Sequence, residues 1–457
     1  MSSMQNSQDK EKFIIKGLDG EKELFGKVKI SGAKNAILSV MASSALFEDG
    51  FSATNVPEIE DVKSMGELLN ASEIAVEQVK KGSYKFTCKE KFNTKLDRHL
   101  SKKMRASILL TGPILARYGK VEFPHPGGCV IGNRPIDLFE KGFMKMGASV
   151  KTNDEGYTIR ACPHTKDFGV GPCLRGQANK EKLTGAEIFF NVQSHTATET
   201  FIMAGVLAKG KTILKNCAME PEVKSLADFL NLCGAKIKGA GTPTIEIVGT
   251  NLLKGKSKIY KTMPDRIETG SFLVLGALCA KELEILNCNP TDLEIVINML
   301  KESGVDIETS ADKIIVRNKK GSKNSDFKCV KIKTHEYPGF PTDLQAPMMV
   351  FLTQASGESV VFETIFEGRL NYTEDLIRMG ADITVWNQHQ ALVKGPTPLK
   401  RKELDGPDIR AGLAYIIAAL VAKGESIINN VYYIDRGYEN IEGKLSGIGV
   451  DIKRAEA

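Results

Sequence analysis

The chemically most distinctive stretch of this chain is PHPGGCVIGNRPID, residues 124–137, where three glycines and three prolines surround the thiol of Cys129. Such a composition excludes regular helix or strand, so the thiol lies on a loop. Arg134, five residues on, would favour its thiolate form, whereas Cys233 and Cys279 lie inside apolar periodic stretches and read as inert core thiols. An ordinary loop thiol and a functional one are both compatible with this pattern. A second candidate is Lys34 with Asn35, in SGAKNA (31–36) at the start of an apolar helix. A lysine at a helix mouth beside unsatisfied N–H groups can cradle an anion, although a solvated surface lysine is the ordinary alternative. Ionisable residues also gather in PDRIETG (264–270), with Asp265 and Glu268, and in YPGFPTDLQ (337–345), with Asp343 just before a buried helix. An Asp in that position is usually an N-cap and less often a base. Arg105, Arg369 and Arg410 open apolar helices or follow strands, where an unpaired guanidinium is costly, so they point to carboxylate or phosphate partners.

These groups have to be held in place by a repeated frame. Helices closed by a glycine, with a strand following at once, end at Gly147, Gly234, Gly304, Gly380 and Gly449. An alanine-rich helix that is apolar nearly all round, and therefore buried, ends ahead of each at Gly119, Gly210, Lys281, Gly357 and Gly424. The two marks stay about 25 residues apart throughout, which predicts a repeated helix–strand–helix–strand unit. A first copy ends near Gly50, and its closing glycine is missing around Leu68–Ile74. Six such units suggest two pseudo-symmetric halves of three, an α/β architecture with buried helices under sheets. An eight-unit barrel does not fit the count or the period.

Composition narrows the function. With 42% apolar and 26% charged residues, the 457-residue chain is an ordinary globular protein, and about 150 residues per domain would give three domains. A net charge of +6 from 62 basic and 56 acidic residues is too balanced for a nucleic-acid binder. The polar, mixed-charge start has no signal-like apolar region, and no apolar run reaches the ~18–20 residues needed to span a bilayer. Nine scattered cysteines without metal-ligand spacing predict free thiols in a reducing compartment. HExxH, P-loop and GxGxxG patterns are missing. A repeat scaffold for protein binding is the non-enzyme alternative, and it offers no reason for Lys34, Cys129, Asp343 and Arg410 to converge.

SGAKNA, MRAS (104–107), PGGCxIGxRPxDL (126–138), PDRIETG, FPTDLQA (340–346), DIRA (408–411) and YxIDRGYENIExKL (432–445), in this order, resemble the enolpyruvyl transferase family, in its branch acting on UDP-N-acetylglucosamine. The resemblance implies a two-domain inside-out α/β barrel with three units per domain. Residues 34–263 would form the first domain, residues 1–33 plus 264–457 the second, and the active site would lie in the cleft between them. It implies transfer of the enolpyruvyl group of phosphoenolpyruvate to the 3′-hydroxyl of UDP-N-acetylglucosamine with release of phosphate, the first committed step of peptidoglycan precursor synthesis in a bacterial cytoplasm. Neither metal nor organic cofactor is implied, nor any nucleic-acid or membrane partner. By the same resemblance, Lys34, Arg134 and Arg410 neutralise phosphoenolpyruvate, and Cys129 protonates its methylene carbon and is the thiol alkylated by fosfomycin. Asp343 is the candidate base at the 3′-hydroxyl and Asn35 binds substrate. Arg105, the run Arg134, Pro135, Ile136, Asp137 and Leu138, and Ile365 contact the UDP-sugar, while Arg369 is a further active-site cation. The nucleotide-facing part departs from the family pattern. Ser194, His195 and Thr196 replace a Ser-Val-Gly run, Val192 replaces a lysine, and Phe139 replaces a histidine. Gly368–Leu370 replaces Asn-Arg-Phe, and residues 162–183 form a rewritten connection. A relative with another acceptor, a different nucleotide sugar or shikimate 3-phosphate, is the alternative enzyme reading.

Overall fold

A computed structural model of the chain describes residues 11–89, 92–127, 136–162, 182–406 and 409–456, with 409 and 410 described by backbone alone. Two compact units emerge where composition predicted three domains: residues 11–31 with 264–456, and residues 32–127 with 136–263. Each has its own apolar core.

In the unit containing residues 264–456, three helices are hidden on nearly every side: Arg266–Cys279, Gln345–Gln354 and Ile409–Val421. Phe272, Leu273, Leu275, Phe351, Leu352, Ile416 and Leu420 are all 0% exposed, so these helices lack the polar stripe of a surface helix. They pack on one another and beneath three four-stranded sheets. Each hidden helix runs directly into a central strand: Ala280–Leu286, Gly357–Phe362 or Glu425–Asn429. That strand pairs antiparallel on one side and parallel on the other, as Ala280–Leu286 does with Lys313–Arg317 and with Leu24–Lys29. The last sheet is completed by the N-terminal strand Glu11–Lys16, which lies between Glu425–Asn429 and Ile452–Glu456.

The unit containing residues 32–263 repeats this plan with the hidden helices Lys34–Ala42, Thr111–Tyr118 and His195–Leu207. Two of its sheets have four strands and one has three. Beside the three-stranded sheet, a parallel bridge from Lys95 to Glu122 occupies the fourth place.

The glycine marks have a backbone cause. Gly147, Gly234, Gly304, Gly380 and Gly449 have φ between 82° and 108°, the left-handed region in which a Cβ is strained. In the first unit, where that glycine is missing, Glu73 takes the same conformation at φ 68°. Where Lys281 replaces glycine after a hidden helix, the strand register slips between Ala280 and Glu282. Six cysteines, at 88, 217, 233, 279, 288 and 329, are free. Cys162 is disulfide-bonded, which corrects the expectation of free thiols throughout; its partner lies outside the described residues. Disulfide pairing requires spatial approach of two Cβ atoms, which scattered spacing along a chain does not reveal. Among the described residues, no helix is long and apolar enough to cross a membrane.

Glu199 is an exception inside this apolar frame, a fully buried carboxyl on the helix His195–Leu207. Burial is the main cause that pushes it from 4.5 up to about 7, with His195 pulling the other way. The folded state therefore binds a proton that the unfolded chain has released, and stability falls as pH rises from 4.5 toward 7. Glu199→Gln should flatten that decline, measured as denaturation midpoints between pH 4.5 and 7.5; an unchanged slope would count against a protonated buried carboxyl. Glu73→Gly should stabilise the protein by about 1 kcal/mol in chemical denaturation, because it relieves a left-handed side chain.

Candidate active site

In the unit of residues 32–263, the described part of the site is built at helix mouths. Lys34 is the first residue of its helix, Ala33 offers no side-chain cap, and no acidic residue occupies the first turn. A cation placed there opposes the helix dipole, an arrangement suited to an anion arriving from outside. Lys34 is 8% exposed, so the surface-lysine alternative fails. Its Nζ lies 3.4 Å from Oδ2 of Asp61, itself 5% exposed, at the start of the helix Glu60–Ala71. Asn35 follows, half-buried. The approach to this mouth needs glycine at position 32, where a Cβ would sit 1.9 Å from the carbonyl oxygen of Asn55.

Arg105 opens a short 3-10 turn, Arg105–Leu110, that leads into the second hidden helix. It is half-buried and exerts an electrostatic pull on Tyr157, whose pKa burial raises. The loop that carries Cys129 departs at Gly127, pressed so closely on the chain that a Cβ there would lie 1.9 Å from the carbonyl oxygen of Lys102. Cys129, Arg134 and Pro135 lie outside the described residues. The chain resumes at Ile136, which is buried, and Asp137 opens the helix Asp137–Lys145 with an exposed bond to Lys141 at 3.0 Å. Leu138 packs against the core, and Phe139 is buried beside Phe201. By contrast, burial pushes the structural thiols of Cys217 and Cys279 up to about 12 and those of Cys233 and Cys288 to about 11, so they remain protonated.

Ser194 caps the third hidden helix, its Oγ accepting from the Ala197 N–H at 3.2 Å. His195 turns inward, with Nδ1 3.4 Å from Oε2 of Glu199. Thr196 is partly exposed, and its carbonyl accepts the Thr200 hydroxyl at 2.8 Å. Val192 remains 61% exposed.

In the other unit, Asp343 lies on the 3-10 turn Thr342–Leu344 and does not cap the following helix, which removes the ordinary N-cap reading. It is held instead by Arg369, whose Nη2 donates to Oδ1 at 2.7 Å. Arg369 is 4% exposed, which is consistent only with a guanidinium engaged by partners. The hinge of this arrangement is Glu363, a carboxylate that inspection of the sequence missed. Fully buried, it accepts from the N–H groups of Ile365 (2.9 Å) and Phe366 (3.1 Å) through Oε1, and from the Thr342 hydroxyl (2.9 Å) through Oε2. One side chain thus fixes both the Ile365 loop and the turn carrying Asp343. His389, in a turn, bonds the Glu363 carbonyl at 2.8 Å and holds the same strand end. Arg410 is the second residue of the helix Ile409–Val421; its side chain lies outside the described residues.

Asp265 and Glu268 make contacts that hold local structure. Asp265 Oδ1 caps the helix Arg266–Cys279, accepting from Ile267 N–H at 2.8 Å and Glu268 N–H at 3.0 Å. Glu268, 2% exposed and raised in pKa chiefly by burial, accepts the Ser31 N–H at 2.9 Å and the Lys444 ammonium. Lys444 also donates to the Ser31 hydroxyl at 2.8 Å. This buried network clamps the chain three residues before Lys34. The motifs PDRIETG and YxIDRGYENIExKL therefore meet at Ser31, which explains why ionisable residues gather in both.

Residues 18–445 match the family model described as EPSP synthase (3-phosphoshikimate 1-carboxyvinyltransferase). A UDP-N-acetylglucosamine 1-carboxyvinyltransferase of Koribacter versatilis is 41% identical over 447 residues, covering 97% of this chain and 96% of that one. Its counterpart in Magnetococcus marinus is 42% identical over 435 residues, covering 95% and 98%. Among solved structures, the enolpyruvyl transferase NikO from Streptomyces tendae matches with a TM-score of 0.82 at 21% identity, over 98% of this chain and 100% of that one. An EPSP synthase from Acinetobacter baumannii matches with a TM-score of 0.70 at 18% identity, over 98% and 100%. At such identities the structures show a shared mixed α/β fold, while the two relatives show more. The chain belongs to the enolpyruvyl transferase family, among the UDP-N-acetylglucosamine 1-carboxyvinyltransferases.

Proposed function

We propose that the chain transfers the enolpyruvyl group of phosphoenolpyruvate to the 3′-hydroxyl of UDP-N-acetylglucosamine, releasing phosphate and supplying the precursor of peptidoglycan. What carries this reading is the 41% identity to a relative of that name over 97% of the chain. The reading includes the finer architecture, a six-unit inside-out α/β barrel with domains 34–263 and 1–33 plus 264–457, and a place in the bacterial cytoplasm.

The chemistry is addition followed by elimination. The 3′-oxygen bonds to C2 of phosphoenolpyruvate as its proton passes to Asp343, while C3 gains a proton from the Cys129 thiol, giving a tetrahedral ketal. Loss of a proton from C3 then restores the double bond as the C2–phosphate bond breaks. Lys34, at its helix mouth, neutralises the anionic substrate together with Arg134 and Arg410. Arg369 and Glu363 orient Asp343 so that its carboxylate meets the hydroxyl in one geometry. Asn35 binds substrate, while Arg105, Arg134–Leu138 and Ile365 contact the UDP-sugar. Ser194, His195 and Thr196 line its nucleotide end, and the inward-turned His195 favours an alternative in which a different nucleotide sugar is the acceptor.

A coupled phosphate-release assay with phosphoenolpyruvate and a panel of acceptors tests the reading. Release should require UDP-N-acetylglucosamine and should not occur with shikimate 3-phosphate; release only with another nucleotide sugar supports the alternative, and no release with any acceptor rejects both. Asp343→Asn should lower kcat by about 10²–10⁴-fold, the range for loss of a general base. Its KM values should stay within about threefold, since ground-state binding is retained.

A further inference from the structure

The helix His195–Leu207 carries Ser194 and His195 at one end. Its other end, about 20 Å away at 1.5 Å per residue, opens on a cavity of about 650 Å³. Lys182, Lys209, Lys236 and Lys254 line this cavity together with Thr250 and Asn251, and among the described residues no Asp or Glu does. Other lysines of the same unit meet carboxylates: Lys211 with Glu246 at 2.8 Å, Lys215 with Glu187 at 2.6 Å and Lys224 with Asp228 at 2.5 Å. Among the described residues, none of the four cavity lysines makes an ion pair or a side-chain hydrogen bond. Lys209 alone would suffice to complement the negative end of the helix. The other three come from separate segments, so the helix dipole does not account for them.

The segments that present them are tied together by backbone hydrogen bonds. The Lys209 N–H donates to the Leu183 carbonyl at 2.8 Å, and the Gly185 N–H returns to the Lys209 carbonyl at 2.7 Å. The Gly249 N–H donates to the Gly210 carbonyl at 2.9 Å, and the Lys254 N–H to the Cys233 carbonyl at 3.3 Å. Leu207 and Leu253, both buried, form an apolar floor. All four lysines are exposed, and an anion seated among them relieves their mutual repulsion; the volume falls within the usual range for small-molecule sites.

The geometry points to a second ligand site, one that takes a soluble anion bearing two or more phosphate groups, of nucleotide size or smaller. Isothermal titration of the full chain with inorganic tripolyphosphate tests it against two double variants. Lys209→Glu with Lys254→Glu alters the cavity; Lys215→Glu with Lys224→Glu makes the same charge change outside it. The wild type should show a saturable one-to-one component that the cavity variant weakens about tenfold or more and the outside variant leaves within about twofold. Phosphate release from phosphoenolpyruvate should be unchanged in both variants when no tripolyphosphate is present. No saturable component, an equal loss in both variants, or binding to phosphatidylglycerol vesicles without binding of tripolyphosphate would each overturn the assignment.

Discussion

A helix that is apolar on every side can be hidden only by being surrounded, and this requirement organises each half of the molecule. Hidden helices leave no polar flank on which to mount a reactive group, so their ends are where backbone dipoles and polar side chains reach a ligand. Lys34 opens one such helix, Ser194 caps another, Arg105 leads into a third, and Asp343 immediately precedes a fourth. The chemistry of the chain is therefore a chemistry of helix mouths. The same rule explains the pairing of buried charges such as Glu268 and Arg369. Glu268 is held by Lys444 and by the Ser31 N–H, and Arg369 by Asp343, because an unpaired charge beside these helices would be costly.

The repeat was legible in advance because it depends on backbone geometry, and backbone geometry selects residue types. A helix closed in the left-handed conformation asks for glycine, and five of the units supply it. The first unit shows how strong the surrounding packing is, since Glu73 is forced into the same conformation without a glycine. Its helix was hard to delimit for that reason. The pairing of Cys162 was not legible, because it depends on proximity in space.

At the site, legibility followed the same division. Lys34 could be named from its position before an apolar run, yet only the fold decides between a solvated and a buried ammonium, by bringing Asp61 beside it. Asp343 looked like a cap from its place in the chain and like a base only through the family resemblance; the fold removes the capping role and shows Arg369 holding its carboxylate. Glu363 carried no signal: a single acid after a strand, with no motif spacing, whose importance lies in two backbone N–H groups and a distant threonine hydroxyl. Asp265 and Glu268 stood out by charge, and the fold shows them capping and clamping the chain, contacts that no spacing in the sequence foretells.

The placement of the strand Glu11–Lys16 between Glu425–Asn429 and Ile452–Glu456 bears on how the protein is made. Residues 32–263 form an insertion between residues 11–31, which carry this strand, and the rest of the same unit, and the described strands of its sheets pair within that span. On the ribosome that inserted unit can close while the early strand still waits for neighbours some 400 residues downstream. For most of synthesis the first strand has two unsatisfied edges, and the unit it belongs to is finished only when the last strand leaves the exit tunnel.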